Sequence, residues 1–140
     1  MTIVVIDGIG GGIGAQIVAR LKAENLPDAV IVALGANAVA TQRMVEAGAH
    51  RGASGENAVR VTVGSADYIF GPLGIMLPNA MMGEITPTMA EAVFCAPGKK
   101  LLLPLSQPHA IIVGIAARNV SDLISEAVET LKRMVAARPA

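Results

Sequence analysis

Aromatic side chains are nearly missing: Tyr68, Phe70 and Phe94 are the whole complement, and there is no tryptophan. That removes the stacking platforms on which single-stranded nucleic acids are held. Charge is scarce as well, at 16% of residues, and the 11 basic side chains are matched by 11 acidic ones. Without a surplus of Lys and Arg there is no electrostatic grip on nucleic acid or on an anionic membrane surface. The lone cysteine, Cys95, excludes an internal disulfide and any multi-thiolate metal centre, and is expected to be a small buried hydrophobe. His50 and His109 are far apart, with no i,i+4 partner or carboxylate pattern beside them, so no metal site is expected. Tyr68 to Gly83, a long uncharged stretch, is broken by Gly71, Pro72, Gly74, Pro78 and Asn79. It falls short of the ~20 residues a spanning helix needs. The opening MTIVVID has no basic region ahead of Asp7 and does not read as a secretory signal. These absences lead to the expectation of a soluble, cytoplasmic protein with neither nucleic acid nor membrane as partner.

What the chain does contain is apolar. Hydrophobic residues make up 53% of 140, and mean hydropathy is +0.57. A chain of this length supports one sizeable core, so residues 1–140 are read as one domain. Ile3-Val4-Val5-Ile6 and Ala29 to Leu34 are continuous apolar runs, which suits strands covered on both faces. Each is followed by a helical pattern: Ala15 to Glu24 with Ile17, Val18 and Leu21, then a helix capped by Asn37 and closed by Gly48. That second helix is given Val39, Ala40, Met44, Val45 and Ala47 as its apolar positions. Strand–helix alternation argues for a layered α/β domain.

The middle is ambiguous, because Ala58 to Val63 alternates like a half-exposed strand. Asp67 to Phe70 reads as the next parallel strand, and Gly64-Ser65-Ala66 is too short for the crossover between them. Gly55 to Val63 is therefore read as a short helix capped by Ser54, after a very short strand near Arg51. Further on, Thr86 and Pro87 start a helix with Met89, Val93 and Phe94 on its inner face. Leu101–Leu103 and Ala110–Val113 are read as an antiparallel edge pair, because Ser106-Gln107-Pro108 is too short for a crossover and Pro104 suits an edge. Ser121 is expected to cap a last helix, with Leu123, Ile124, Ala127, Val128, Leu131, Met134 and Val135 as its stripe.

The most specific motif is Asp7-Gly8-Ile9-Gly10-Gly11-Gly12-Ile13-Gly14, where the first strand meets the first helix. Glycines there let the backbone approach a ligand, and the free N–H groups of the following helix favour a phosphate. Gly10-x-Gly12-x-x-Ala15 fits the dinucleotide fingerprint. Gly8-x-x-x-Gly12-Ile13-Gly14 also resembles the cofactor loop of the short-chain dehydrogenases. A tight turn that binds nothing is the competing reading. The acid expected at the end of the second strand is missing, leaving Gly35, Asn37, Thr41 and Arg43. The catalytic Tyr-x-x-x-Lys of the dehydrogenases is missing too, since Tyr68 is followed by Pro72.

The expected cofactor-binding residues are Gly8, Ile9, Gly10, Gly11, Gly12, Ile13, Gly14, Gly35, Asn37, Gly71 and Pro72, with NAD or NADP as the expected ligand. No catalytic residue is assigned. Asp7, Asn79 and Glu84 are the polar groups that an enzyme reading would use, and His109 reads as packing. Met76, Met81, Met82 and Met89 cluster in the 71–89 segment. Together with the Ala110–Ala117 edge they form an apolar surface suited to a homo-oligomer.

Taken in order, VVIDGIGGGIG, ALGANAVAT, GASGENA, GPLGIM and GEITPTMAEA resemble a family of small, uncharacterised bacterial Rossmann-like domains. The resemblance covers nearly the whole chain and implies a three-layer Rossmann-like sheet, mostly parallel. It implies no reaction. Three functions follow as expectations: a nucleotide-binding sensor or regulatory module, an oligomeric oxidoreductase with a pocket shared between subunits, or an interaction protein without nucleotide.

Overall fold

A computed structural model of the chain describes residues 1–105, 107 and 109–139. The strands are β1 (Thr2–Asp7), β2 (Val30–Gly35), β3 (Arg51–Ser54), β4 (Tyr68–Pro72) and β5 (Lys99–Leu103). The helices are α1 (Gly12–Ala23), α2 (Ala38–Glu46), α3 (Glu56–Thr62), α4 (Pro87–Cys95) and α5 (Val120–Ala136). The strands form one five-stranded sheet in the order β3-β2-β1-β4-β5, and every pairing is parallel.

The apolar runs are continuous because consecutive residues serve opposite layers. Ile3 and Val5 of β1 join one core cluster with Ile17, Val18 and Leu21 of α1 and Ile124, Val128 and Leu131 of α5. Val4 and Ile6 join a second cluster with Val59 of α3 and Met89 and Val93 of α4. β2 divides in the same way, Ile31 and Ala33 against Val32 and Leu34. Two faces, each buried under helices, make the three layers.

Asn37 caps α2, its Oδ1 accepting the Ala40 N–H at 2.9 Å, and Thr86 caps α4 through the Met89 N–H at 3.1 Å. Residues 56–62 are helical as topology requires, but Ser54 does not cap them. Gly55 holds the N-cap position at φ +95°, a left-handed angle that suits glycine, and the Ser54 hydroxyl lies 2.7 Å from Thr41 Oγ1. α5 begins two residues earlier than Ser121 predicts, because Asn119 offers the same kind of acceptor and takes the Asp122 N–H at 2.8 Å.

The antiparallel edge pair is not formed. β5 pairs in parallel with β4, and 110–113 is not a strand. Among the described residues the antiparallel pairing there is a single bridge between Gln107 and Ala110. Ser106 and Pro108 of the expected connector lie outside the described residues. Strand propensity alone does not make a strand without a partner edge, and 109–119 is exposed throughout. Cys95 is exposed rather than buried. Phe94 faces solvent at 66% exposure, as do Val39 and Val45 of α2; Met89 and Val93 already cover the sheet from α4. Among the described residues no helix is long and apolar enough to cross a membrane.

Candidate functional site

The chain order of this sheet reverses direction between β1 and β4. At such a point the loops leaving the two strands diverge and open a crevice beyond their carboxyl ends. A cleft of about 440 Å³ occupies that place, within the size range of small-ligand sites. Its floor is the loop from Asp7 to Ile13, and its walls are Pro72, Gly74, Ala80, Met81, Leu105 and Gln107.

The glycine loop is held from beneath by Asp7. One carboxylate oxygen accepts the Gly8 N–H at 2.8 Å, and the other accepts the Gly14 N–H at 2.7 Å. Asp7 is buried, and burial pushes its carboxyl above the ordinary value of 3.8 despite the opposing pull of the two amides. Glu84 adds to the rise and Arg43 works against it.

The next residue is held from the side. Ile9 has φ +53°, a left-handed angle that costs a β-branched residue on the order of 1–3 kcal/mol. Its N–H donates to Glu84 Oε1 at 2.5 Å, and its carbonyl accepts from Asn37 Nδ2 at 2.8 Å. Asn37 Nδ2 also donates to Glu84 Oε2 at 2.7 Å. Glu84 and Asn37, from two other loops, thus fix the N–H and the carbonyl of one strained residue. Glu84 arrives on a segment with Asn79, Met81, Met82 and Gly83 all at positive φ.

Four amides remain. Gly11 N–H closes a turn onto the Gly8 carbonyl at 2.9 Å, whereas those of Gly10, Gly12 and Ile13 meet no protein acceptor among the described residues. The glycines divide along the same line. A Cβ at Gly8 would strike Met81 and Glu84, one at Gly14 would strike Met44 and Asp7, and Gly11 combines φ +72° with the Ala40 backbone at 2.6 Å. Packing requires those three to be glycine. At Gly10 and Gly12 a Cβ would meet only the flexible end of Arg43, at 3.4 Å and 3.6 Å. The Arg43 guanidinium donates to the Gly10 carbonyl at 2.8 Å and places a positive charge beside the loop.

Of the residues singled out by sequence, Gly8 to Ile13 and Pro72 line the cleft. Gly14 lies beneath it against Asp7 and Met44. Gly35 is tucked against Thr41, whose hydroxyl takes its N–H at 3.1 Å. Gly71 is pressed against the Ile6 carbonyl, where a Cβ would sit at 2.5 Å. Asn37 caps a helix and joins the Ile9 clamp rather than the cleft wall. Leu105, Gln107, Ala80 and Met81 were not foreseen as lining residues. Glu84 was foreseen only as a free acid or base, and its seat on Ile9 lies 75 residues away in sequence, beyond the reach of any local pattern.

The sheet order, the glycine loop and the crevice at the reversal define a doubly wound α/β domain of Rossmann-like type. The family model described as "Domain of unknown function (DUF3842)" matches residues 2–136, and the chain belongs to that family. No curated protein matches it. Among solved structures, the crystal structure of a dodecameric FMN-dependent Ubix-like decarboxylase from Escherichia coli O157:H7 is similar, with a TM-score of 0.50. It shares 16% identity over 96% of this chain and 76% of that one, a likeness of fold.

Proposed function

We propose that this protein binds a phosphate-bearing mononucleotide, flavin mononucleotide being the best-fitting class, in the cleft between β1 and β4. The observation that carries this reading is the split among the loop glycines. Packing accounts for Gly8, Gly11 and Gly14 but leaves Gly10 and Gly12 without a protein neighbour that needs them bare. Their unpartnered N–H groups, with that of Ile13 at the start of α1, suit a phosphate, and Arg43 adds positive charge. Above the loop the wall is mostly apolar, through Pro72, Ala80, Met81 and Leu105, and suits a flat apolar ring. The solved relative in fold is named as FMN-dependent, which agrees with a one-phosphate ligand. A bound flavin would supply electron-transfer chemistry of its own; the residues here would hold its phosphate and keep water from one face of its ring.

The dinucleotides NAD and NADP fit less well. Their adenosine half needs the space beyond β2, and there the Glu84–Asn37 pair closes over Ile9 at 2.7 Å in place of an acid for the ribose hydroxyls. Within this reading Gly10, Gly12 and Ile13 contact the phosphate, and Gly8, Ile9 and Gly11 shape the loop. Pro72 walls the cleft, and Gly14, Gly35, Asn37 and Gly71 hold the frame. We also read the protein as a homo-oligomer, because Ile111, Ile112, Val113 and Ile115 are exposed together on one short segment, and contiguous exposed apolar surface marks interaction sites.

Thermal unfolding in the presence of FMN, FAD, NAD, NADP and ATP tests the ligand. FMN at a hundredfold excess over its Kd should stabilise by about 2.7 kcal/mol, and Gly12→Val should abolish that gain while leaving the ligand-free midpoint little changed. A gain from NAD or NADP instead would overturn the mononucleotide assignment. No gain from any nucleotide would overturn the binding reading.

A further inference from the structure

A chain leaving a strand for the next helix of a parallel sheet commonly needs 2–6 residues. Between β5 and α5 this chain runs instead from Pro104 to Asn119. The far part of that excursion, Ala110 to Ala117, is uncharged and holds Ile111, Ile112, Val113 and Ile115, the β-branched composition of a strand. It is nevertheless exposed and forms no strand, its one pairing among the described residues being the bridge from Ala110 to Gln107. A turn closed by the Ile115 N–H on the Ile112 carbonyl at 3.3 Å, with Gly114 at φ +89°, folds it back on itself.

Beside it lies an open acceptor. β5 ends the sheet order and pairs with β4 alone among the described residues, so its outer N–H and C=O groups form a free edge. Along that edge runs a groove of about 550 Å³ between the strand and α5. Its apolar lining includes Leu102, Leu103, Leu123, Ala127 and Met134. The chain's own Ile115 and Ala116 form one wall of the groove without occupying it. A free strand edge beside an apolar lining suits an extended apolar segment, and the chain itself carries one next to the groove. We infer that residues 110–117 of one copy seat as an added strand along β5 of a second copy, each giving and receiving the same segment.

This inference rests on the self-association reading and names its surface. Reciprocal exchange closes on a two-fold axis and covers the β5 edge of both copies. It also bears on the ligand site. Leu105 and Gln107, at the start of the same excursion, form part of the cleft wall, so the partner copy is anchored next to the cleft.

The experiment pairs light scattering with hydrogen exchange on the full chain at micromolar and near-millimolar concentration. The wild type should have at least twice the mass of one chain. The Ile111→Asp, Val113→Asp double variant should fall to one chain mass while unfolding as cooperatively as before, since both side chains are exposed. Amides 110–116 of the wild type should be protected at high concentration and lose that protection on dilution. A monomeric wild type would overturn self-association altogether. An oligomer that the double variant leaves intact would overturn the exchanged strand alone, as would protection of 110–116 that does not respond to dilution.

Discussion

Asp7 shows how one buried side chain shapes a loop that is otherwise almost bare backbone. Both of its oxygens are engaged, on Gly8 and Gly14, so replacement by asparagine turns an amide donor toward one of those N–H groups. Leaving such a buried donor without an acceptor costs about 1–3 kcal/mol, and Asp7→Asn should lose that much in chemical denaturation. The pH response follows from the raised carboxyl. The folded protein holds this proton to higher pH than the unfolded chain does. The stabilising contribution is therefore complete below the ordinary value of 3.8 and fades as pH rises through the folded value. In the asparagine variant that part of the pH slope should be missing from urea titrations across the acidic range. The role of Asp7 was only partly legible: its place after a strand and before glycines marked the loop, but its bond to Gly14 depends on how the loop curls. Glu84 was less legible still, since its partners Ile9 and Asn37 sit on other loops.

Caps and runs account for most of the elements. Asn37 and Thr86 were legible as caps because a side-chain acceptor stands directly before a helical pattern. Ser54 and Ser121 looked equivalent but lost to neighbours. Gly55 alone tolerates the angle at the start of α3, and Asn119 lets Val120 join the packed face of α5. If Asn119 is the operative cap, Asn119→Ala should cost about 0.5–2 kcal/mol, while Ser121→Ala should cost much less in the same denaturation assay. The buried strands were legible because continuous apolarity has one physical reading when helices cover both faces. Residues 110–113 have the same composition without the same outcome, because strand formation depends on a partner edge that no local pattern reveals.

At the scale of the molecule, the strand order puts the glycine loop where that order reverses; a mostly parallel sheet was implied by the βαβ opening and the family resemblance, whereas the order itself was not. The antiparallel edge was the one architectural error, and it arose from treating a long excursion as a hairpin. If copies associate through that excursion, folding and assembly are linked, and the thermal midpoint should rise with protein concentration. Calorimetry over a hundredfold dilution series would show the drift, and a constant midpoint would mean that the folded chain is stable alone. The clamp on Ile9 has a temporal side. Its two poles are held by residues of the second and fourth βα connections, so a nascent chain still waiting for Glu84 to leave the ribosome has no finished cradle. The final shape of the glycine loop is thereby deferred until the centre of the sheet has been laid down.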